Sequence, residues 1–304
     1  MNAVQRLSRI AMICSEPDRL ADFYKTAFGF VQIGDVTITE PAFARLIDIP
    51  GAIARVITLR LGGQAIELAG IKPPGRNYPC GVSGRSPLFQ HFAIVVSDMV
   101  TAYTRLSAHR GWKTISTDGP QSLPPSSGGV TALKFRDPEG HPLELIAFPR
   151  DHTPAKWQSS STAECLGIDH SAISVADTKR SIGFYERLGL KHFGSSLNSG
   201  PEQDHLDNVA GALVEVTTLA LPRSSVPHIE LLCYRSDSER EPAVLGTNDV
   251  AATRLVLAVR NDEMDELCAQ NMETLLSGPV RFEQGARRAM LRDPDGHLLC
   301  LEVP

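Results

Sequence analysis

The sequence predicts an α+β protein built from four βαβββ modules that form two similar domains. Two internal repeats and a recurrent order of apolar patterns carry that expectation. The first repeat sets RIAMICSEPDRLADFYKTAFGF, from Arg9, beside HSAISVADTKRSIGFYERLGL, from His170, and lands Phe23-Tyr24 on Phe184-Tyr185. It continues from PGAIARVITLRL (from Pro50) to AGALVEVTTLAL (from Ala210), and both copies end in Ile-Glu-Leu, at Glu67 and Glu230. The second repeat sets FRDPEGHPLEL, from Phe135, beside LRDPDGHLLCL, from Leu291, and upstream HFAIVVSDM at His91 faces RLVLAVRND at Arg254. The order is therefore A, B, A′, B′, with units of roughly 80 residues, and such a period fixes the architecture before any single element is read.

Each unit opens on an alternating apolar stretch such as Phe92, Ile94 and Val96, the pattern of a strand with one buried face. A Ser-x-x-Asp or Ala-Asp segment then caps a helix, where Leu20, Phe23 and Tyr24 form an apolar stripe and pack into the core, as do Phe184 and Tyr185. Three short apolar runs follow, broken by Gly, Pro or Asp. Asp137-Pro138-Glu139-Gly140 and Asp293-Pro294-Asp295-Gly296 read as hairpin turns, because proline fixes one backbone angle and glycine permits another. The expected division is a first domain over 1–149 (modules about 5–72 and 88–149), a Pro- and Ser-containing linker over 150–165, and a second domain over 166–304 (modules about 166–236 and 250–304).

Composition narrows the class. The 304 residues carry 30 basic and 35 acidic side chains, a net charge of −5, which gives no footprint for nucleic acid or an anionic membrane. No apolar run reaches the eighteen or so residues of a membrane span, and the opening MNAVQRLSRIAMICSEPDR is not a signal peptide. Six scattered cysteines without a CxxC pair read as reduced thiols of a cytoplasmic protein.

These pieces, namely the strand-opening His91 and His170, the two Phe-Tyr helices, the two DPxGH turns and the closing glutamates, resemble the vicinal oxygen chelate superfamily. It includes glyoxalase I, bleomycin-resistance proteins and extradiol dioxygenases. The resemblance covers about Arg9 to Glu302 and implies two glyoxalase/dioxygenase-type domains whose modules pair into cups. It also implies one metal ligand from the first and one from the last strand of each module. Position by position, these are Arg9 and Glu67, His91 and Glu144, His170 and Glu230, and Arg254 and Cys300. Arginine does not ligate a cation, so Arg9, Arg254 and Cys300 depart from the pattern. Glu302, two residues past Cys300, could partly substitute.

Two pairings are open. Neighbouring modules sharing a cup leave each cup short of an imidazole. Outer with outer and inner with inner gather His91, Glu144, His170 and Glu230 into one intact inner cup, and leave Arg9, Glu67, Arg254 and Cys300 in a degenerate outer one. The second is the more economical. Two imidazoles and two carboxylates suit a divalent Fe, Mn, Ni or Zn ion that chelates neighbouring oxygens of a small substrate. Glu144 or Glu230, on loosening, would be the base of a lyase or isomerase working through an enediolate. An Fe(II)-dependent extradiol dioxygenase is the alternative chemistry, and a metal-free drug-binding protein the alternative class.

Plainer readings stand beside these. His91 alone could be a hydrogen-bonded strand histidine; a bare buried glutamate needs an arginine if not a metal. One or both of Arg9 and Arg254 are expected to neutralise Glu67, with an anion pocket as the other reading; His141 and His297 are expected to serve their turns, and Cys300 to fill core space. Arg76, Tyr78 and Phe89, on the loop leading to His91, are candidates for the substrate mouth. A monomer or a homodimer would serve, since four modules complete two cups.

Overall fold

Alternating apolar runs become strands and capped amphipathic runs become helices, module by module. The first module is β1 (Val4–Ile13), α1 (Pro17–Phe28), β2 (Val31–Ile38), α2 (Pro41–Leu46), β3 (Ile53–Leu61) and β4 (Gln64–Lys72). The second is β5 (Gln90–Val96), α3 (Met99–Ser107), the short β6 (Lys113–Thr114) and β7 (Gln121–Ser122), then β8 (Thr131–Arg136) and β9 (Pro142–Ala147). The third is β10 (Cys165–Ser174), α4 (Thr178–Arg187), β11 (Lys191–Ser199), α5 (Pro201–Asp207), β12 (Leu213–Leu221) and β13 (Ser224–Tyr234). The fourth is β14 (Arg254–Val259), α6 (Met264–Gln270), β15 (Leu275–Arg281), β16 (Arg287–Arg292) and β17 (Leu298–Val303). The computed structural model describes residues 3–158, 163–221, 224–235 and 244–304, so part of the expected linker, residues 222–223 of the third module and the stretch 236–243 toward the fourth lie outside the described residues. The α+β class and the four-module repeat are as the sequence predicts. The short helices α2 and α5 are additions to the βαβββ outline.

Two helix caps follow the sequence, and one does not: α1 starts after Glu16 with no side-chain cap, so Ser15 does not serve as one. Asp98 accepts from the Thr101 backbone N–H at 2.8 Å and Asp177 from that of Arg180 at 2.9 Å, each satisfying a donor that the first helical turn leaves free. Pro17 starts α1, where its missing N–H costs nothing, and Gly29 ends it at φ 74°.

Two sheets result. One runs β15-β16-β17-β14-β1-β4-β3-β2, joining the first module to the fourth; the other runs β11-β12-β13-β10-β5-β9-β8-β6, joining the second to the third. The junctions are antiparallel, β1 with β14 and β5 with β10. The outer modules therefore share one cup and the inner modules the other, and each cup draws strands from both sides of the segment 150–165.

The Phe-Tyr and DPxGH motifs fasten one sheet to the other. Tyr24 donates to Asp137 Oδ2 at 3.0 Å, and Tyr185 donates to Asp293 Oδ2 at 3.0 Å, both fully inside the protein. His141 bridges Asp137 (2.8 Å) and the Ile13 carbonyl (2.9 Å), while His297 reaches the Ser174 carbonyl at 2.8 Å. Gly140 and Gly296 turn at φ 101°, a conformation that suits glycine. None of the described helices is long and apolar enough to cross a membrane.

Candidate functional site

Strand register builds the inner cup. On the antiparallel pair, His91 stands opposite Ala172 and His170 opposite Ala93. Glu144 on β9 is level with Ala93, and Glu230 on β13 is level with Ala172. Register partners project to the same side of a sheet, so all four polar side chains share one face around two alanines too short to fill the space between them.

Three of the four converge. One donor atom each from His91, Glu144 and His170 lies within 4.8 Å of the others, and all three residues are buried. His91 Nε2 is 3.2 Å from Glu144 Oε2 without hydrogen-bond geometry, and neither ring nitrogen of His91 has a hydrogen-bond partner. Glu230 sits one step out. Its Oε2 is 3.6 Å from His170 Nε2, its Oε1 is 3.3 Å from His228 Nε2, and it is only half-buried. Donors about 2.0–2.2 Å from an ion stand roughly 3–3.5 Å apart, so an orphaned imidazole 3.2 Å from a buried carboxylate fits a divalent metal. The quartet expected from the sequence is thus a close trio with a fourth member beside it.

The site has parts that the sequence reading missed. Lys134 is opposite Glu144 on β8; its buried Nζ is 2.6 Å from Asp207 on α5 and 3.9 Å from Glu144. Gln203 donates to the other Asp207 oxygen at 2.7 Å. Asp169 Oδ2 accepts from His170 Nδ1 at 3.2 Å, and His228 stands beside both, its ring centroid 5.4 Å from that of His170. Asp169, His170 and His228 also cluster tightly enough to hold an ion. That cluster already has its cation, because Lys156 is 3.0 Å and Trp157 Nε1 is 2.8 Å from Asp169 Oδ1.

The charges follow from this packing. Burial would strip the His170 proton, but Glu230 and Asp169 outweigh it and raise the imidazole to about 9. His91, whose burial is only partly offset by Glu144, stays below its ordinary value. Burial alone would raise both glutamates; His91 and Lys134 instead hold Glu144 below the usual range, and His170 with His228 brings Glu230 to about 2. Lys134 is raised, since Asp207 and Glu144 overcome the cost of burial. The cavity they line is about 430 Å³, with Leu123, Val130, Ile146 and Val216 as apolar wall.

The mouth candidates lie elsewhere. Arg76 pairs with Asp249 at 2.5 Å, and Tyr78 donates to the Leu88 carbonyl and packs on His141; both are on the loop side and do not line this cavity. Phe89 is buried behind the site with its ring edge-on to His91 at 5.5 Å, so it supports the imidazole without facing the cavity. A loop's position before a site residue does not say which side of the strand it returns to.

The outer cup is closed. Arg9 Nε is 2.6 Å from Glu67, and its two terminal nitrogens reach Glu302 at 2.5 and 2.9 Å. Arg288 also holds Glu302, at 2.7 Å. Of the two arginines Arg9 is the one that neutralises Glu67, while the Arg254 guanidinium donates to the Thr247 carbonyl. Cys300 packs among Val256, Phe43 and Met290, and burial lifts its thiol to about 11.

Comparison with known proteins agrees with this architecture. The model of the Glyoxalase/Bleomycin resistance protein/Dioxygenase superfamily matches residues 6–145 and 167–301. Glyoxalase I from Zea mays superposes with a TM-score of 0.61 at 18% identity, covering 98% of this chain and 92% of that one. A putative dioxygenase from Bacillus subtilis gives 0.60 at 15% identity, covering 100% and 86%. No curated protein matches the chain.

Proposed function

We propose that this chain, which belongs to the Glyoxalase/Bleomycin resistance protein/Dioxygenase superfamily, is a metal-dependent enzyme working in its inner cup. The reaction we assign is a proton transfer next to a carbonyl, of the glyoxalase lyase or isomerase kind. The observation that carries this reading is the buried trio of His91, Glu144 and His170 at one end of a 430 Å³ cavity, when the equivalent outer positions are plugged by arginine. A divalent Fe, Mn, Ni or Zn ion held by these residues would chelate two neighbouring substrate oxygens and stabilise charge developing on them.

The protein's own groups divide the remaining work. Glu144 is buried between His91 and Lys134 and is the fixed carboxylate. Glu230 is ionised, half-buried and held by His228, so it is the group free to take the proton from carbon and return it to the neighbouring carbon. Leu123, Val130, Ile146 and Val216 give the reacting carbon an apolar wall. The partner is a small molecule; the site needs no second copy of the chain, and a monomer or homodimer serves. The compartment we assign is the cytoplasm, where six free thiols stay reduced.

A second reading is favoured by the same trio. Two histidines and one carboxylate with open positions are also the ligand set of non-haem Fe(II) oxygenases, and Glu230 standing aside leaves such positions. Loading the purified protein separately with Fe(II), Mn(II), Ni(II) and Zn(II) separates the readings. The first expects near-stoichiometric metal and metal-dependent exchange of a carbon-bound proton with solvent deuterium in α-hydroxycarbonyl substrates. Oxygen uptake with catechols under Fe(II) alone would replace it with the dioxygenase. Failure to bind any of the four metals would leave a metal-free binding protein.

A further inference from the structure

We propose that the segment joining the two halves is a working part of the inner cup, in which Trp157, acting through Asp169, positions His170. The inference rests on the metal-site reading above and extends it to residues that do not touch the site's centre.

The chain of contacts is direct. Trp157 Nε1 donates to Asp169 Oδ1 at 2.8 Å, Lys156 Nζ is 3.0 Å from the same oxygen, and Asp169 Oδ2 faces His170 Nδ1 at 3.2 Å. A carboxylate can only accept, so His170 carries its proton on Nδ1 and turns Nε2 toward Glu144 and Glu230. Adjacent strand residues ordinarily point to opposite faces. Here the β5–β10 ladder slips between Ile168 and His170, and such an irregularity re-aims a side chain. It lets Asp169 reach the ring of its own neighbour.

Trp157 is built into this position. It is 7% exposed, within the apolar cluster that includes Ala93, Val95 and Ile146. Gly167 makes its room, because a Cβ there would fall 2.8 Å from indole Cζ3 and 2.9 Å from Cη2. The rest of the molecule supplies internal controls. His91 follows Gln90, and its Nδ1 has no hydrogen-bond partner. In the plugged outer cup the equivalents of Gly167, Asp169 and His170 are Arg6, Ser8 and Arg9, so the docking space, the carboxylate and the imidazole are replaced together.

Trp157→Phe removes the N–H and keeps most of the packing; Asp169→Asn removes the charge; Trp112→Phe is the control at the other tryptophan. Zn(II) affinity is measured by competition with a chromogenic chelator. In parallel, 15N-histidine NMR follows the slowly exchanging Nδ1–H of His170. The expected result is a ten- to hundredfold loss of Zn(II) affinity in both site variants, with the Nδ1–H signal exchange-broadened and unfolding midpoints of Trp157→Phe and Trp112→Phe alike. Unchanged affinity and an unchanged Nδ1–H signal in Trp157→Phe would overturn the inference. If the wild-type protein takes no Zn(II), the metal reading fails by itself, and the Nδ1–H signal, present with or without metal, still decides whether Trp157 and Asp169 hold His170.

Discussion

Replacing Lys134 by methionine tests the pair that ties the second module to the third across the inner cup. Lys134 Nζ is 2.6 Å from Asp207 Oδ1 and 3.9 Å from Glu144 Oε2, with side-chain exposures of 5%, 1% and 8%. Methionine preserves the volume of the stem and removes the cation. Asp207 then keeps the Gln203 amide at 2.7 Å but loses its only neutralising charge in that cluster, and Glu144 loses the lysine that steadies it. Removing one member of a buried ion pair costs about 3–5 kcal/mol because a bare charge is left behind, whereas removing both costs far less. Urea unfolding followed by tryptophan fluorescence reads this as a fall in midpoint at constant slope. The double variant Lys134→Met/Asp207→Leu should recover part of the loss, with a coupling energy of roughly 0.5–3 kcal/mol. A loss below about 1 kcal/mol in the single variant, or strict additivity in the double, would refute a dry ion pair at this junction.

Three further outcomes follow from the same geometry. Glu144→Gln should lose tight Zn(II) binding, while Glu230→Gln should retain metal and lose roughly 10²–10⁴-fold in turnover, read by chelator competition and solvent-deuterium exchange. His141 has only acceptors on its two ring nitrogens, the Asp137 carboxylate on one and the Ile13 and Val250 carbonyls on the other; burial opposes its charge, but Asp137 overrides burial and raises its pKa above 6.5. Its ionisation therefore contributes stability fully below about pH 6.5, lost as pH rises through the raised folded value, so the melting-temperature gap between wild type and His141→Gln should shrink from pH 5.5 toward alkaline pH. Arg9→Met should destabilise by about 2–4 kcal/mol in urea, as Glu67 loses its guanidinium, with Zn(II) affinity of the inner cup unchanged because that cup is on the other sheet.

The repeat was legible because each half of the chain puts the same residues at the same joint. Tyr24 and Tyr185 meet the turn aspartates Asp137 and Asp293, so neither motif can drift without its mate. The ligand face was legible for a related reason, since strand period and first-strand position put His91, Glu144 and His170 on one side. Lys134 left a weaker mark, a lone lysine in the apolar run TALKF, and its partner Asp207 is distant in sequence on a helix that the outline did not include. Asp169 was hidden by a rule that works elsewhere: alternation sends it away from His170, and only the slipped register brings it back. Trp157 lay in a stretch whose Pro and Ser content reads as a linker, although its indole is buried against the sheet.

The two cups differ in where the fixed cation stands. A carboxylate facing a dry cavity must be neutralised, and a guanidinium does that permanently and in two directions at once. Arg9 sits on the ligand face itself, in contact with Glu67 and Glu302, where an imidazole would otherwise stand. In the inner cup the permanent cations are set back: Lys134 spends its short contact on Asp207, and Lys156 spends its own on Asp169. The His91 ring is left with no hydrogen bond and Glu144 has Lys134 no nearer than 3.9 Å, a face that is electrostatically incomplete and geometrically ready for a divalent ion. Placing an arginine at His170 would, on this argument, close the inner cup as Arg9 closes the outer one, so His170→Arg should gain unfolding stability over His170→Ala while binding no Zn(II), and tight Zn(II) binding by His170→Arg would show that the cation's position is not what separates the two cups.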